Sequence, residues 1–149
     1  MTAPTKIEAG FNTLNRIQDL DDMAAVLFPG NPRHQHAFAV IFFVLKWSDG
    51  AVADLCRCVL AHGVSQRVFE RTRAKMRRLG LIDHVSRFNK KHGYREGWVL
   101  STRFCKSLEH LAAQIGVAMT AKVGKQREKD RFAIELLWPA GVDDRPGES

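Results

Sequence analysis

The chain has 149 residues, 45% of them hydrophobic, and its 23 Lys and Arg against 16 Asp and Glu leave a formal charge of +7. That apolar content excludes a disordered chain, and the length suggests one domain with terminal extensions and not a large multidomain enzyme. No apolar run reaches the roughly 18 residues of a spanning helix, three cysteines lack scaffold spacing, and the N-terminus lacks a secretory pattern, so a cytoplasmic protein is expected.

Residues 1 to 10 read as a loose lead-in. Phe11, Leu14, Ile17, Leu20, Ala24 and Leu27 recur at helical spacing and predict an amphipathic helix over about 12–28. Phe28-Pro29-Gly30-Asn31-Pro32 ends it, and Asn31-Pro32 supplies a cap and a first-turn proline for the next helix. That helix runs to about Trp47 and is apolar on most sides (Phe38, Val40, Ile41, Phe42, Val44, Leu45), which marks the buried centre of a domain. Ser48-Asp49-Gly50 turns the chain into a short helix from Ala53 to His62, burying Leu55, Cys58 or Val59, and Leu60. Gly63 stops it and Ser65 caps the following helix, over about 66–79. On that helix Val68, Phe69, Thr72, Met76 and Leu79 share one arc at about 100° per residue. Gln66, Arg67, Glu70, Arg71, Ala74, Lys75 and Arg78 take the other arc. Two helices joined by a glycine turn, the second apolar inside and cationic outside, satisfy a helix-turn-helix.

The period then changes. Ile82 to Phe88 predicts a strand, residues 89–93 a basic turn, and Tyr94 to Ser101 a returning strand. From Thr102 a further helix presents Phe104, Leu108, Leu111 and Ile115 on one face. Residues 121–129 read as a hinge or an exposed helix, Phe132 to Trp138 as a last apolar patch, and the rest as a disordered Pro/Gly/Asp tail.

Charge is concentrated where this pattern lies. Between Ser65 and Lys106 twelve basic residues face three acidic ones, a net of +9, so the remainder of the chain nets −2. A local excess of that size attracts a polyanion, because each neutralised phosphate releases condensed counterions. The chemistry of other sites is missing. Cys56 and Cys58, like His34 and His36, are two apart and point to different sides of a helix. No Cys-x-x-Cys, phosphate loop, nucleophile elbow or His-Glu-x-x-His occurs. No metal, cofactor or enzymatic activity is expected.

The order helix, helix, turn, basic helix, hairpin, helix resembles the winged-helix family of DNA-binding proteins over about 34–117. The residues that carry the likeness are Ala53-Asp54-Leu55 through Gly63-Val64-Ser65, then Lys75-Met76-Arg77-Arg78-Leu79-Gly80-Leu81-Ile82, and Trp98-Val99-Leu100-Ser101-Thr102. Regulators of the multiple-antibiotic-resistance type are the nearest comparison, dimers whose terminal helices pair and whose wing tips carry Asp-x-Arg. Here the tip reads Asn89-Lys90-Lys91-His92-Gly93-Tyr94-Arg95, so the resemblance is to the superfamily.

The resemblance implies a mainly α fold with a small β-hairpin, a winged helix-turn-helix with additional N- and C-terminal helices. The expected organisation is an N-terminal dimerisation segment at 1–30, the DNA-binding domain at 31–119 and a basic segment with its tail at 120–149. The implied function is sequence-specific binding of double-stranded DNA by a homodimeric regulator of transcription. Gln66, Arg67, Glu70 and Arg71 would meet base edges in the major groove. Ser65, Lys75 and Arg78 would meet phosphates, and the wing residues Lys90, Lys91, His92 and Arg95 the backbone or minor groove. The dimer would use Phe11, Leu14, Ile17 and Leu20 together with Phe104, Leu108, Leu111 and Ile115, predicting a palindromic operator. Such a dimer has room for a small-molecule effector, which the sequence does not identify. Two alternatives stand beside this reading: a winged helix used for protein contacts in a replication or processing complex, and a sequence-indifferent nucleic-acid binder.

Overall fold

A computed structural model describes residues 5–86, 88, 90–92 and 95–139. The chain is mainly helical with one two-stranded antiparallel hairpin, and none of its described helices is long and apolar enough to cross a membrane. The expected tail lies outside the described residues from 140 onward.

The N-terminal helical spacing conceals a break. In place of one helix over 12–28 there are α1 (Phe11–Leu14) and α2 (Leu20–Leu27). Asp22 explains the restart: its carboxylate accepts the backbone N–H groups of Gln18 (3.1 Å) and Asp19 (3.3 Å), donors that stand ahead of the new helix. Asn31 accepts the His34 N–H at 3.2 Å and caps α3 (Pro32–Lys46), with Pro32 in its first turn. α4 is shorter than expected, Leu55–Leu60. α5 runs Gln66–Leu79, where it was expected, because both ends are marked. The Ser65 hydroxyl accepts the Val68 N–H at 3.3 Å, and Gly80 takes the left-handed conformation at φ +92°.

The strands are shorter than their sequence patterns: β1 is Ile82–Val85 and β2 is Gly97–Leu100, in a register that pairs His84 with Trp98 and Val85 with Gly97. Lys90–His92 form a single 3₁₀ turn between them, while Asn89, Gly93 and Tyr94 of the expected turn and strand lie outside the described residues. A single-residue bridge at Val52 flanks the hairpin. Val52 and Trp98 exchange both backbone hydrogen bonds, at 3.0 and 2.9 Å. This closeness demands Gly97. Its φ is +145°, and a Cβ there would stand 2.4 Å from the Val52 carbonyl carbon. α6 (Arg103–Thr120) and α7 (Gln126–Leu136) follow, the second taking in the last four residues of the expected hinge or exposed helix and most of the apolar patch.

The chain divides into two units, residues 1–108 and 109–149, with the boundary inside the α6 sequence. Ala24, Val26, Leu27 and Phe28 are buried in one cluster with Ala37, Phe38, Val40, Ile41 and Leu45 of α3. Helix α3 is the centre of the first unit and touches α2, α4, α5 and β2. Leu55 and Val59 of α4 are buried, whereas Cys58 and Leu60 are only half-buried. Phe69, Thr72 and Met76 of α5 and Ile82 of β1 are fully buried around α3.

The exit from the hairpin is pinned as well. Ser101 N–H bonds Leu81 O at 2.8 Å and Phe104 N–H bonds Gly80 O at 3.0 Å. Arg103 clasps Asp83 with both arms of its guanidinium, Nε donating to Oδ2 at 3.0 Å. Burial pushes the Asp83 carboxyl upward, but hydrogen bonds from Arg103 and Ser101, with the charges of Arg103 and Arg77, hold it below the usual carboxylate value.

Among the described residues one buried side-chain polar atom has no partner, the Thr72 hydroxyl. Thr72→Val keeps the shape and removes an unsatisfied donor, so it is expected to stabilise the chain by about 1 kcal/mol, a few degrees in a thermal melt followed by circular dichroism. A lowered midpoint would contradict it.

Candidate nucleic-acid interface

Because Phe69, Thr72 and Met76 face inward, the opposite arc of α5 is exposed: Gln66, Arg67, Glu70, Arg71, Ala74, Arg77 and Arg78. Gln66 Nε2 donates to Glu70 Oε1 at 3.1 Å, one turn apart. Among the described residues the Arg67 and Arg71 side chains make neither a hydrogen bond nor an ion pair, so both guanidiniums keep all their donors. Arg71 is felt by its neighbour, however. Burial, and then the charges of Arg71 and Lys75, draw the His34 imidazole below its ordinary value.

At the start of α5 a cleft of about 220 Å³ is lined by Arg33, His36, Gly63, Val64, Ser65 and Val68. Ser65 therefore stands beside Arg33 and His36 of α3, two cationic or titratable groups that the sequence reading did not connect to it. Their only sequence signal is a three-residue spacing on one helix face.

Lys75 is placed differently from its expected role. Its ammonium donates to Lys6 O at 2.6 Å and to Leu27 O, and it lies 4.4 Å from the centre of the Phe28 ring. It ties the N-terminal segment and the end of α2 to α5 and is not a free phosphate ligand. Burial first, and the Arg78 charge after it, pull its pKa below the usual lysine value. Arg78 also turns toward this segment, Nε donating to Thr5 Oγ1 at 3.3 Å, but it stays exposed.

Two arginines that the sequence reading assigned no role take the other flank. Arg73 and Arg77 lie over the Trp98 ring, with guanidinium carbons 5.0 and 5.7 Å from its centre, and Arg73 is also 4.9 Å from the Phe69 ring. His84, directly across the hairpin, meets Trp98 edge-on at 5.1 Å. An open cleft of about 440 Å³ runs along Glu70, Arg73, Ala74, Arg77, Arg78 and Trp98.

Of the expected wing residues, Lys90 and Lys91 are exposed and His92 is half-buried in the 3₁₀ turn. Arg95 lies along Gly50, where an added Cβ would come within 3.1 Å of Nη1, so its side chain rests on the turn before α4. The expected dimer residues separate into two groups. Ile17, Leu20 and Phe104 are partly buried and pack against the core of the first unit. Phe11, Leu14, Leu108, Leu111 and Ile115 are exposed, as are Val117, Met119, Phe132, Ile134, Leu136 and Trp138. All three cysteines are free thiols, Cys56 and Cys58 half-buried and Cys105 exposed.

No family model, curated protein or solved structure matches this chain.

Replacing Lys75 by Met keeps the aliphatic stem and removes the two carbonyl contacts. The expected loss is about 1 kcal/mol, a few degrees in the thermal midpoint. An unchanged midpoint would free Lys75 for the phosphate contact that its sequence position suggests.

Proposed function

We propose that this chain is a winged-helix protein that binds double-stranded DNA sequence-specifically and regulates transcription as a homodimer in the cytoplasm. The observation that carries the reading is the division of α5. One arc is spent on the core, and the other offers Gln66, Arg67, Glu70 and Arg71 in its first two turns with two guanidiniums unengaged. A helix of this kind fits the major groove with its N-terminal residues toward the base edges, where arginine bonds guanine through two acceptors. Ser65, with Arg33 and His36 beside it, supports a phosphate contact at the helix start. Lys90, Lys91 and His92 suit a wing on the backbone or in the minor groove.

The homodimer is supported by α6 and α7, in which no residue is buried. Leu108, Leu111 and Ile115 recur at helical spacing on α6, and α7 adds Phe132, Ile134 and Leu136. Apolar surface of that extent on helices without a core calls for a partner, and a second copy satisfies it with two-fold symmetry.

Selection from a random duplex library at near-physiological salt tests the first claim, the expected result being an enriched palindrome. On that operator, Arg67→Ala with Arg71→Ala is expected to remove discrimination against mutated sites, about 1–3 kcal/mol for each lost bidentate contact. Unchanged discrimination would end the base-reading role of both. The dimer is expected to elute from gel filtration with the mass of two chains at micromolar concentration. The mass of one chain would exclude it.

A further inference from the structure

We infer that Arg73 and Arg77, held against Trp98, form a seat for a backbone phosphodiester of the bound duplex, with Trp98 as its positioning residue. This rests on the duplex-binding reading and names the contact that fixes the second half of α5 on its partner.

The geometry begins with the backbone of Trp98, which is held on both sides. β1 lies on one side, in register at His84, and Val52 lies on the other with two hydrogen bonds at 2.9 and 3.0 Å. The His84 ring closes against the indole at 5.1 Å with the planes 75° apart. The indole is therefore a fixed platform, and both guanidiniums rest on it within 6 Å of its centre. Two like charges one helical turn apart repel, so what holds them together is the negative face of the ring.

Neither guanidinium has a carboxylate partner. The described ion pairs are Arg57 with Asp54 and Arg103 with Asp83. Among the described residues neither side chain makes a hydrogen bond or an ion pair, so the N–H edges that grip a phosphate through two parallel hydrogen bonds are available. The cleft beside them carries Arg73, Arg77 and Arg78 against a single acid, Glu70, which already accepts from Gln66. An anion fits that balance.

Position along the helix selects which anion. Arg73 and Arg77 follow Gln66 by two and three turns, about 10–16 Å along the axis at 1.5 Å per residue. The major groove is about 12 Å wide. With the first two turns of α5 on base edges, the pair reaches the far wall of the groove, where the phosphates are. Lys75 and Arg78 lie on the same stretch of helix but turn toward Lys6, Leu27 and Thr5.

The test is equilibrium binding of the full chain to its selected duplex and to a scrambled duplex, titrated with salt. Arg73→Gln with Arg77→Gln is expected to flatten the slope of log affinity against log salt by about 0.9, the value for the one phosphate they hold. Between about 50 and 200 mM salt the wild type would then lose about three- to fourfold more affinity than the variant. The ratio of selected to scrambled affinity should stay the same, unlike the loss expected when Arg67 and Arg71 are removed. Trp98→Leu, which keeps every charge, should weaken both duplexes alike, and Trp98→Phe should restore binding, because a ring and not the indole itself is required. A wild-type slope in the double arginine variant would overturn the seat while leaving duplex binding intact. Equal weakening by Phe and Leu at position 98 would overturn the platform. Absence of wild-type binding to any duplex would overturn the seat together with the reading on which it rests.

Discussion

The burial of Phe69, Thr72 and Met76 against α3 sets the rotation of α5 about its own axis, and every functional assignment on the exposed face follows from that angle. These positions lie three and four residues apart, the spacing that returns to the same side of a helix. Each large apolar side chain taken out of water contributes about 1.5–3 kcal/mol. A slip of one residue would turn the helix by about 100° and bring Glu70 and Arg73 into the core. Uncompensated charge burial costs more than the domain has in reserve. The cations of α5 therefore point outward by necessity, and the centre that enforces this is α3, apolar on the sides that α2, α4 and α5 cover.

Helix α5 was legible in the sequence to the residue because local chemistry marks it three times: a serine cap, a 3.6-residue apolar period and a glycine that leaves the helix at positive φ. The outward placement of Arg67 and Arg71 follows from the same period. Elsewhere local signals compete or are missing. Ile17 and Leu20 keep the helical period across a break, because Asp22 finds backbone donors at Gln18 and Asp19 that a continuous helix would not offer. Val52 pairs with Trp98 alone, and a bridge of one residue has no period to read. The fate of Lys75 was hidden for another reason. It has the angular position of a solvent residue, but its stem is long enough to reach carbonyls at Lys6 and Leu27, 69 and 48 residues away in the chain. The Arg73–Arg77–Trp98 cluster is also a long-range contact, between a helix and a strand whose pairing must first be known.

The two units differ in how their apolar residues are used. In residues 1–108 they gather around α3, and even Ile17, Leu20 and Phe104, which read as interface positions, are drawn into that core. In residues 109–139 two helices carry Leu111, Ile115, Val117, Met119, Phe132, Ile134 and Leu136 in exposed positions. Two helices of this length cannot enclose a core of their own, and most of the stability of a helix comes from packing its apolar face. Their apolar faces are therefore surface that these two helices do not cover themselves.

Three uses of arginine in the first unit differ in their physical consequences. Arg103 is neutralised by Asp83, so it fastens β1 to the start of α6 and adds little to the external field. Arg67 and Arg71 are exposed and nothing described holds them, so they keep their rotamer freedom. Arg73 and Arg77 combine the advantages of both, because an aromatic ring restrains a guanidinium without cancelling its charge. Part of the ordering entropy that a long side chain loses on binding is then already lost in the free protein, which is how preorganisation raises affinity. A four-residue strand pairing would otherwise be a minor element of this fold. By fixing Trp98 between His84 and Val52, it sets where the positive charge of α5 can act.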